Sequence, residues 1–328
     1  MLANLLQTSS TKASAELPAG GLRIALFLEE ESGNWHVRRL AEAMRARGVD
    51  VVVSSLPRCA FDTRLPSGLD IPGFDGELPD AVFVRSISQG TLEQITFRLG
   101  ILHALRESGV RVWNDARAIE RCVDKSATTF MLHKAGIPTP RTRTMETKPP
   151  ADAYVADAGR PLIYKPLFGS QGKGLLRIDD QGQLPSPEAA DSIYYLQDFV
   201  PPSGSSFEDW RVIVTRNRVV AAMARRAGTW ITNVHQGGEP STHEPSEEMA
   251  QLASGALAAV GADYAGVDLI RTPDGRLLVL EVNSNPSWRG LQSVSDTDIA
   301  RTIAEDFLAA VAEHRRRTPE QRSETCPV

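Results

Sequence analysis

Cysteine is scarce in this chain: Cys59, Cys122 and Cys326 are the only three among 328 residues. Scattered without the short spacings of a zinc site and odd in number, they argue against a disulfide framework and a structural zinc, and for a reducing compartment. No apolar run approaches the ~18 residues a membrane-spanning helix needs. A net charge of -5 leaves no basic footprint, which argues against a dedicated nucleic-acid binder. Internal repeats and long low-complexity tracts are missing too. Residues 1–20 lack the continuous apolar core and cleavage site of a signal peptide, and are read as a flexible leader on a cytoplasmic protein. Residues 317–328 are read as a disordered tail.

What remains is a composition of 41% apolar and 23% charged residues, that of a soluble globular protein, in a chain long enough for two or three domains. Leu22–Leu28 and Val49–Ser54 read as strands around a helix carrying Val37, Leu40 and Met44 and stopped at Gly48. Ala81–Arg85 and Val110–Trp113 read as strands around the helix Thr91–Ser108, ended by Gly109, with 57–79 as an irregular connection. Residues 21–120 therefore predict a small open α/β domain.

Beyond it the alternation stops. A short helix, Asp124–Ala135, is closed by Gly136-Ile137-Pro138-Thr139-Pro140. Strands follow at Pro161–Pro166, Leu175–Ile178 and Tyr194–Val200, then a hairpin turning at Arg216-Asn217, then a helix at Ser246–Val260. This half predicts an α+β arrangement. A last helix aligns Ile299, Ile303, Phe307, Leu308 and Val311, and Arg315-Arg316-Arg317 after it are assigned no partner.

The chemistry concentrates in Gly266-Val267-Asp268 and Glu281-Val282-Asn283. Strands Ala265–Arg271 and Arg276–Val282, flanking the turn Thr272-Pro273-Asp274-Gly275, set Asp268 and Glu281 side by side on one face. Charge among Val, Leu and Ile is costly unless something pairs with it. Oxygen donors of this kind suit Mg²⁺, which takes one or two carboxylates and leaves its other positions to water and phosphate. The alternative is a half-exposed hairpin with both carboxylates in solvent.

Upstream, Gly169-Ser170-Gln171-Gly172-Lys173-Gly174 carries the small residues that let backbone N–H groups approach a phosphate. No Gly-Lys-Ser/Thr opens a helix here, and the segment leads into another strand, so it is neither a P-loop nor a dinucleotide fingerprint. A plain hairpin turn is its alternative. Lys165 ends an apolar strand and Lys125 follows Cys122-Val123-Asp124; such lysines either snorkel or meet an anion. Two lysines, a glycine loop and an oxygen pair together predict one phosphate-and-magnesium site.

The ordered series Asp124-Lys125, Lys165-Pro166, Gly169 to Gly174, Gln197-Asp198-Phe199-Val200, Asp209-Trp210-Arg211, Gly266-Val267-Asp268 and Glu281-Val282-Asn283 resembles the ATP-grasp ligases. Within them it is most similar to the RimK-type glutamate ligases, over about residues 22–312, with Ala221-Ala222-Met223 and Asn233 before Gly237-Gly238. The resemblance implies an open Rossmann-like pre-ATP-grasp domain (21–120) followed by a two-lobed ATP-grasp fold, its small lobe at 121–200 and its metal-bearing lobe at 201–316. Lys125 and Lys165 would meet the ATP phosphates. Gly169, Ser170, Gln171, Gly172 and Gly174 would close over them, and Gln197, Asp198, Phe199 and Val200 would present backbone groups to adenine. Asp268, Glu281 and Asn283 would hold Mg²⁺, or Mn²⁺ in its place. Arg211 and Arg225 would steady the transferred phosphoryl group, with Asn233 at the metal or phosphate end. The implied reaction phosphorylates a carboxylate, and an amine then attacks the acyl phosphate to give an amide, ADP and phosphate.

For substrate, the resemblance implies L-glutamate and a small carboxylate-bearing acceptor, with Arg85 and Arg289 as carboxylate clamps and surface ion pairs as their alternative. Arg226 is read the same way. Many RimK-type chains continue Ser-Pro-Gly after the Glu-Val-Asn; here Ser284-Asn285-Pro286-Ser287-Trp288-Arg289-Gly290-Leu291-Gln292 is more like the branch that glutamylates tetrahydromethanopterin or methylofuran. Trp288 would then stack on an aromatic acceptor. A dipeptide or glutathione-type synthetase, RimK-type protein glutamylation and a non-catalytic nucleotide-binding regulator are the rival readings. Family habit implies a homodimer or homotetramer. Cys122, near Lys125, is expected to be open to alkylation when ATP is absent.

Overall fold

The computed structural model describes residues 21–29, 34–169 and 171–317; the leader, Ser170, most of the tail and Cys326 lie outside them. The chain opens with β1 (Arg23–Phe27), α1 (Trp35–Arg45) and β2 (Asp50–Ser54), and continues through the two-residue strands β3 (Ala60–Phe61) and β4 (Leu69–Asp70). Then come β5 (Ala81–Val84), α2 (Leu92–Glu107), β6 (Arg111–Trp113) and α3 (Ala116–Val123). β2, β1, β5 and β6 form a parallel sheet in that order, the open α/β domain the alternation predicts. Local signals set its helices. Asn34 caps α1 by accepting from His36 N and Val37 N, and Thr91 and Gln94 form a capping box on α2.

The small lobe holds α4 (Lys125–Lys134), β7 (Thr142–Glu146), α5 (Lys148–Ala158), β8 (Leu162–Lys165), β9 (Leu176–Ile178) and β10 (Ile193–Asp198), with the sheet ordered β7-β10-β8-β9. Sequence reading missed α3, β7 and α5. In α5, Pro149 and Pro150 look like breakers but occupy the first turn, where no N–H is needed, and Gly159 stops the helix at φ +61°. β7 is a polar edge strand with only Met145 buried, so no alternation marks it.

β11 (Phe207–Thr215), β12 (Arg218–Ala227), β13 (Glu239–His243), α6 (Glu247–Val260), β14 (Tyr264–Arg271) and β15 (Leu277–Asn283) make the large lobe, followed by α7 (Arg289–Gln292) and α8 (Ile299–Arg317). Its five-stranded antiparallel sheet runs β13-β12-β11-β14-β15. The turn between β11 and β12 has Arg216 and Asn217 both at positive φ, +48° and +61°, the geometry that matches strand twist in a two-residue hairpin. One face of this sheet packs Val212, Val214, Val267, Leu269 and Val279 against Ala253 and Leu257 of α6.

The boundary expected between the first and third units is not clean. α8 carries its apolar stripe to the N-terminal domain, where Ile299, Ile303, Phe307 and Val311 share one core with Leu22, Ile24, Leu40 and Met44. The three arginines belong to the last turn of α8, and Arg315 donates to Asp80 Oδ1 at 2.9 Å, a partner the sequence did not reveal.

Candidate active site

A cavity of about 240 Å³ opens between the small-lobe sheet and the five-stranded sheet. On the small-lobe side, alternation divides the strands: Leu162, Tyr164 and Leu196 point into the lobe's own core, while Ile163, Lys165 and Gln197 line the cavity. Lys125 is the first residue of α4, after Asp124, which caps the helix by accepting from Ser126 N at 2.8 Å and Ala127 N at 3.1 Å. Its Nζ donates to the carbonyls of Leu167 (3.2 Å) and Gly169 (3.0 Å), tying the glycine loop to the helix. Burial lowers the pKa of Lys125 against the opposing charges of Glu281 and Asp124. Burial likewise brings Lys165 down to about 8, although Glu281 pulls it up.

The loop lies against the opposite wall. Gly172, at φ +72°, sits where an added Cβ would fall 2.6 Å from Asn233 Oδ1, so glycine is what lets loop and wall approach. Gln236 Nε2 donates to Gln171 O at 3.2 Å. Gly169, Gln171, Gly172 and Lys173 reach the cavity, as does Asn233; Gly174 is behind, packed toward Pro166. At the far end Gln197 is fixed by donating to Thr142 Oγ1 and Tyr195 OH, both at 3.1 Å, and Asp198 pairs with Arg160 at 2.8 Å. Phe199 and Val200 follow, with the Trp230 ring edge-on to Phe199 at 6.5 Å. This end is apolar and aromatic, suited to a purine base.

The floor is a row of charge across the large sheet. Arg211, Asp268 and Glu281 are direct neighbours on β11, β14 and β15, and Asp209 stands opposite Arg225 on β12. Arg211 grips Asp268 with two hydrogen bonds (2.8 and 2.7 Å). Arg225 grips Asp209 with two more (2.7 and 2.5 Å) and reaches Asp268 Oδ2 at 3.0 Å. Burial alone would raise the pKa of Asp268, but Arg211 and Arg225 outweigh it and hold it at about 2. Asp268 is thus an anion at every working pH.

The Glu281 carboxylate makes no hydrogen bond among the described residues, so its oxygens stay unspent. Asn283, two residues on, shares its face, opposite Gly266, but stands outside the cavity wall. No group of three or more His, Cys, Asp or Glu able to hold a metal is found among the described residues. One carboxylate oriented by guanidiniums, one with free oxygens and an amide next to them form a sparse oxygen set, which fits Mg²⁺ bound largely through substrate phosphates.

Asp209, which sequence reading left without a role, belongs to this floor; its place before the Trp-Arg pair was the available signal. The arginines expected to meet substrate are elsewhere. Arg85 is buried and donates to Pro286 O at 2.8 Å, with its guanidinium over the Trp288 ring. Arg289 is exposed at the start of α7, away from the cavity wall, and Arg226 pairs with Glu208 at 2.8 Å. Two expectations need correction. Trp288 is fully buried, edge-on to His36 at 4.6 Å between ring centroids, and presents no face to an acceptor. Cys122 is buried and its thiol is pushed up to about 12, chiefly by burial, so it is not a reactive thiol.

Two lysines and a glycine loop face paired carboxylates across the cavity, and the family match falls on this region: the RimK-like ATP-grasp domain covers residues 122–307. The chain belongs to the RimK-like ATP-grasp family of carbon–nitrogen ligases. It is 36% identical over 307 residues to the tetrahydromethanopterin:alpha-L-glutamate ligase of Methanococcus maripaludis, spanning 89% of this chain and 100% of that protein. It is 33% identical over 298 residues to a probable alpha-L-glutamate ligase of Alkalilimnicola ehrlichii, spanning 85% and 93%. Among solved structures, a RimK domain ATP-grasp protein of Sphaerobacter thermophilus matches with a TM-score of 0.63 at 25% identity, covering 86% of this chain and 98% of that one. The ATP-grasp ligase PsnB, complexed with a minimal precursor, has the same fold with a TM-score of 0.69 at 21% identity, covering 88% and 98%. No helix among the described residues is long and apolar enough to cross a membrane.

Proposed function

We propose that this chain is an ATP- and Mg²⁺-dependent ligase that joins L-glutamate to a small carboxylate-bearing coenzyme precursor of the tetrahydromethanopterin or methylofuran type. The observation that carries the reading is the facing of two walls: Lys125, Lys165 and the glycine loop on one side, Asp268 and Glu281 on the other. The glutamate ligase names of relatives at 36% and 33% identity support the substrate class.

A carboxylate cannot expel oxide, so it must be phosphorylated before an amine displaces phosphate. Cations and fixed donors around the transferred group lower the cost of charge that develops on its oxygens. Lys125, Lys165 and the loop N–H groups bind and orient the phosphates, and the aromatic end takes the base. Arg225 reaches the cavity wall and steadies the phosphoryl group; Arg211 stands behind and holds Asp268 in place. Asp268, Glu281 and Asn283 would hold Mg²⁺, which when bound neutralises charge on the β- and γ-phosphates. Asn233, against the loop, closes the phosphate end.

The test supplies ATP, Mg²⁺ and L-glutamate with a panel of pterin, furan, amino-acid and peptide acceptors, reading phosphate release and product mass. A gain of one or more glutamyl units on a pterin or furan precursor is the expected result. Turnover with simple amino acids alone would instead establish a dipeptide synthetase.

Lys165 adds a pH dependence. With its pKa near 8, the ammonium is present below that pH and lost above it, so affinity for metal-free ATP is expected to fall as pH rises through about 8. Titration calorimetry from pH 7 to 9.5 checks this; in Lys165→Met binding is weak, and flat over the same range.

A further inference from the structure

In an open parallel sheet, ligands settle at the carboxyl ends of the strands. In this chain that edge of the N-terminal domain is filled by the protein's own segment 284–288, the continuation of β15 directly after Asn283. Three side chains of the N-terminal domain grip it at alternate residues. Asn114, following β6, donates from Nδ2 to Ser284 O at 2.8 Å. Arg85, following β5, donates to Pro286 O at 2.8 Å. His36, at the start of α1, accepts from Trp288 N at 3.1 Å.

All three contacts are to backbone groups, so they fix the path of the segment. Asn114 does more. Fully buried, it also donates to Tyr264 O (2.9 Å) and accepts from Asp263 N (2.6 Å) and Tyr264 N (3.1 Å), which spends all four hydrogen bonds of its amide. It thereby binds the start of β14 to the exit of β15, the two strands that carry Asp268, Glu281 and Asn283. His36 is suited to accepting: burial, with Arg85 and Arg289 nearby, lowers its pKa to about 3 and keeps it neutral. The grip is returned by Asn285, whose amide nitrogen, turned toward the acceptors around it, reaches Val84 O at 3.1 Å and Arg85 O at 3.3 Å.

We infer that Asn114, Arg85 and His36 are positioning residues for the cation site: the N-terminal domain sets the geometry in which β14 and β15 present Asp268, Glu281 and Asn283. This rests on the proposed reading of those residues as the metal end of the site. It gives Arg85 a task other than binding a substrate carboxylate.

The experiment measures Mn²⁺ binding to the full chain by electron paramagnetic resonance in the presence of a non-hydrolysable ATP analogue, and separately the affinity for metal-free ATP. For Asn114→Ala and Arg85→Met, the Mn²⁺ dissociation constant is expected to rise at least tenfold while metal-free ATP affinity moves less than twofold. Arg85→Lys, which keeps a donor for Pro286 O, should recover most of the loss. Arg85→Met leaves the buried amide bonds of Asn114 intact, so the question is decided even where Asn114→Ala does not fold. A lowered unfolding midpoint with unchanged Mn²⁺ affinity in the folded variants would reduce the three to structural residues and overturn the inference. So would an Arg85→Met variant that binds Mn²⁺ normally but needs far more glutamate or acceptor. If the wild-type protein binds Mn²⁺ nowhere with the analogue present, both the metal reading and this inference fall.

Discussion

Glu281→Gln is expected to abolish ADP formation, by on the order of 10³-fold or more, in a protein that stays folded. Glutamine matches glutamate in shape, and Glu281 makes no hydrogen bond among the described residues that the substitution would break. What changes is charge. A cation shared with the phosphates contributes several kcal/mol of charge stabilisation to phosphoryl transfer, and each 1.36 kcal/mol is a factor of ten in rate. The same charge raises the pKa of both Lys125 and Lys165, so its removal should let burial lower Lys165 below about 8 and move the fall in ATP affinity to lower pH. A coupled ADP assay, circular dichroism and the pH dependence of metal-free ATP binding read the three effects separately. Turnover within tenfold of wild type would remove Glu281 from the cation site.

The adjacency of the two candidate cation-site carboxylates was legible because its signal is local. Asp268 and Glu281 are charges in apolar strands on either side of a Thr-Pro-Asp-Gly turn, and period-two alternation places them together without knowledge of the rest. The hairpin at Arg216-Asn217, the capped helix after Thr91 and the stripe on α8 were legible for the same reason. Contacts made across long sequence separations were not. Nothing near Asn114 says that its amide will meet Tyr264 and Ser284, 150 and 170 residues away. Arg85 is a case in point: the resemblance implied a carboxylate clamp, while the guanidinium meets a backbone carbonyl and a tryptophan ring brought from some 200 residues away. Trp288 failed similarly, since an aromatic residue beside polar neighbours carries no sign of which side will be covered. The destination of α8 was hidden too, because an apolar stripe tells that a face is buried and not against which domain.

Arg225→Met is expected to cost about 3–5 kcal/mol of stability, the usual cost of removing one partner from a buried ion pair. Arg225, Asp209 and Asp268 are 2%, 5% and 4% exposed, so water cannot replace the guanidinium. Burial works against its charge, yet Asp268 and Asp209 together raise its pKa, whereas at Asp209 burial is the larger effect and the carboxyl stays raised despite Arg225. Asp268 keeps Arg211 in the variant, but Asp209 loses its bidentate partner and is left as a buried carboxylate with no cation. The sign of the pH dependence follows. In the wild-type protein the folded pKa of Asp268 is depressed to about 2, so its contribution to stability is present above its unfolded value and is lost as pH falls toward 2. Burial already raises the folded pKa of Asp209 in the wild-type protein against the pull of Arg225, and in Arg225→Met it should rise further, because Arg225 then no longer opposes desolvation. A raised carboxylate pKa favours the folded state at low pH, so the deficit relative to wild type should shrink as pH is lowered from 7 to 5. Urea unfolding of both proteins at the two pH values measures it. A deficit under 1 kcal/mol, or one that does not change with pH, would mean that Arg225 neutralises nothing in the folded state and that the floor of the site owes its order to Arg211 alone.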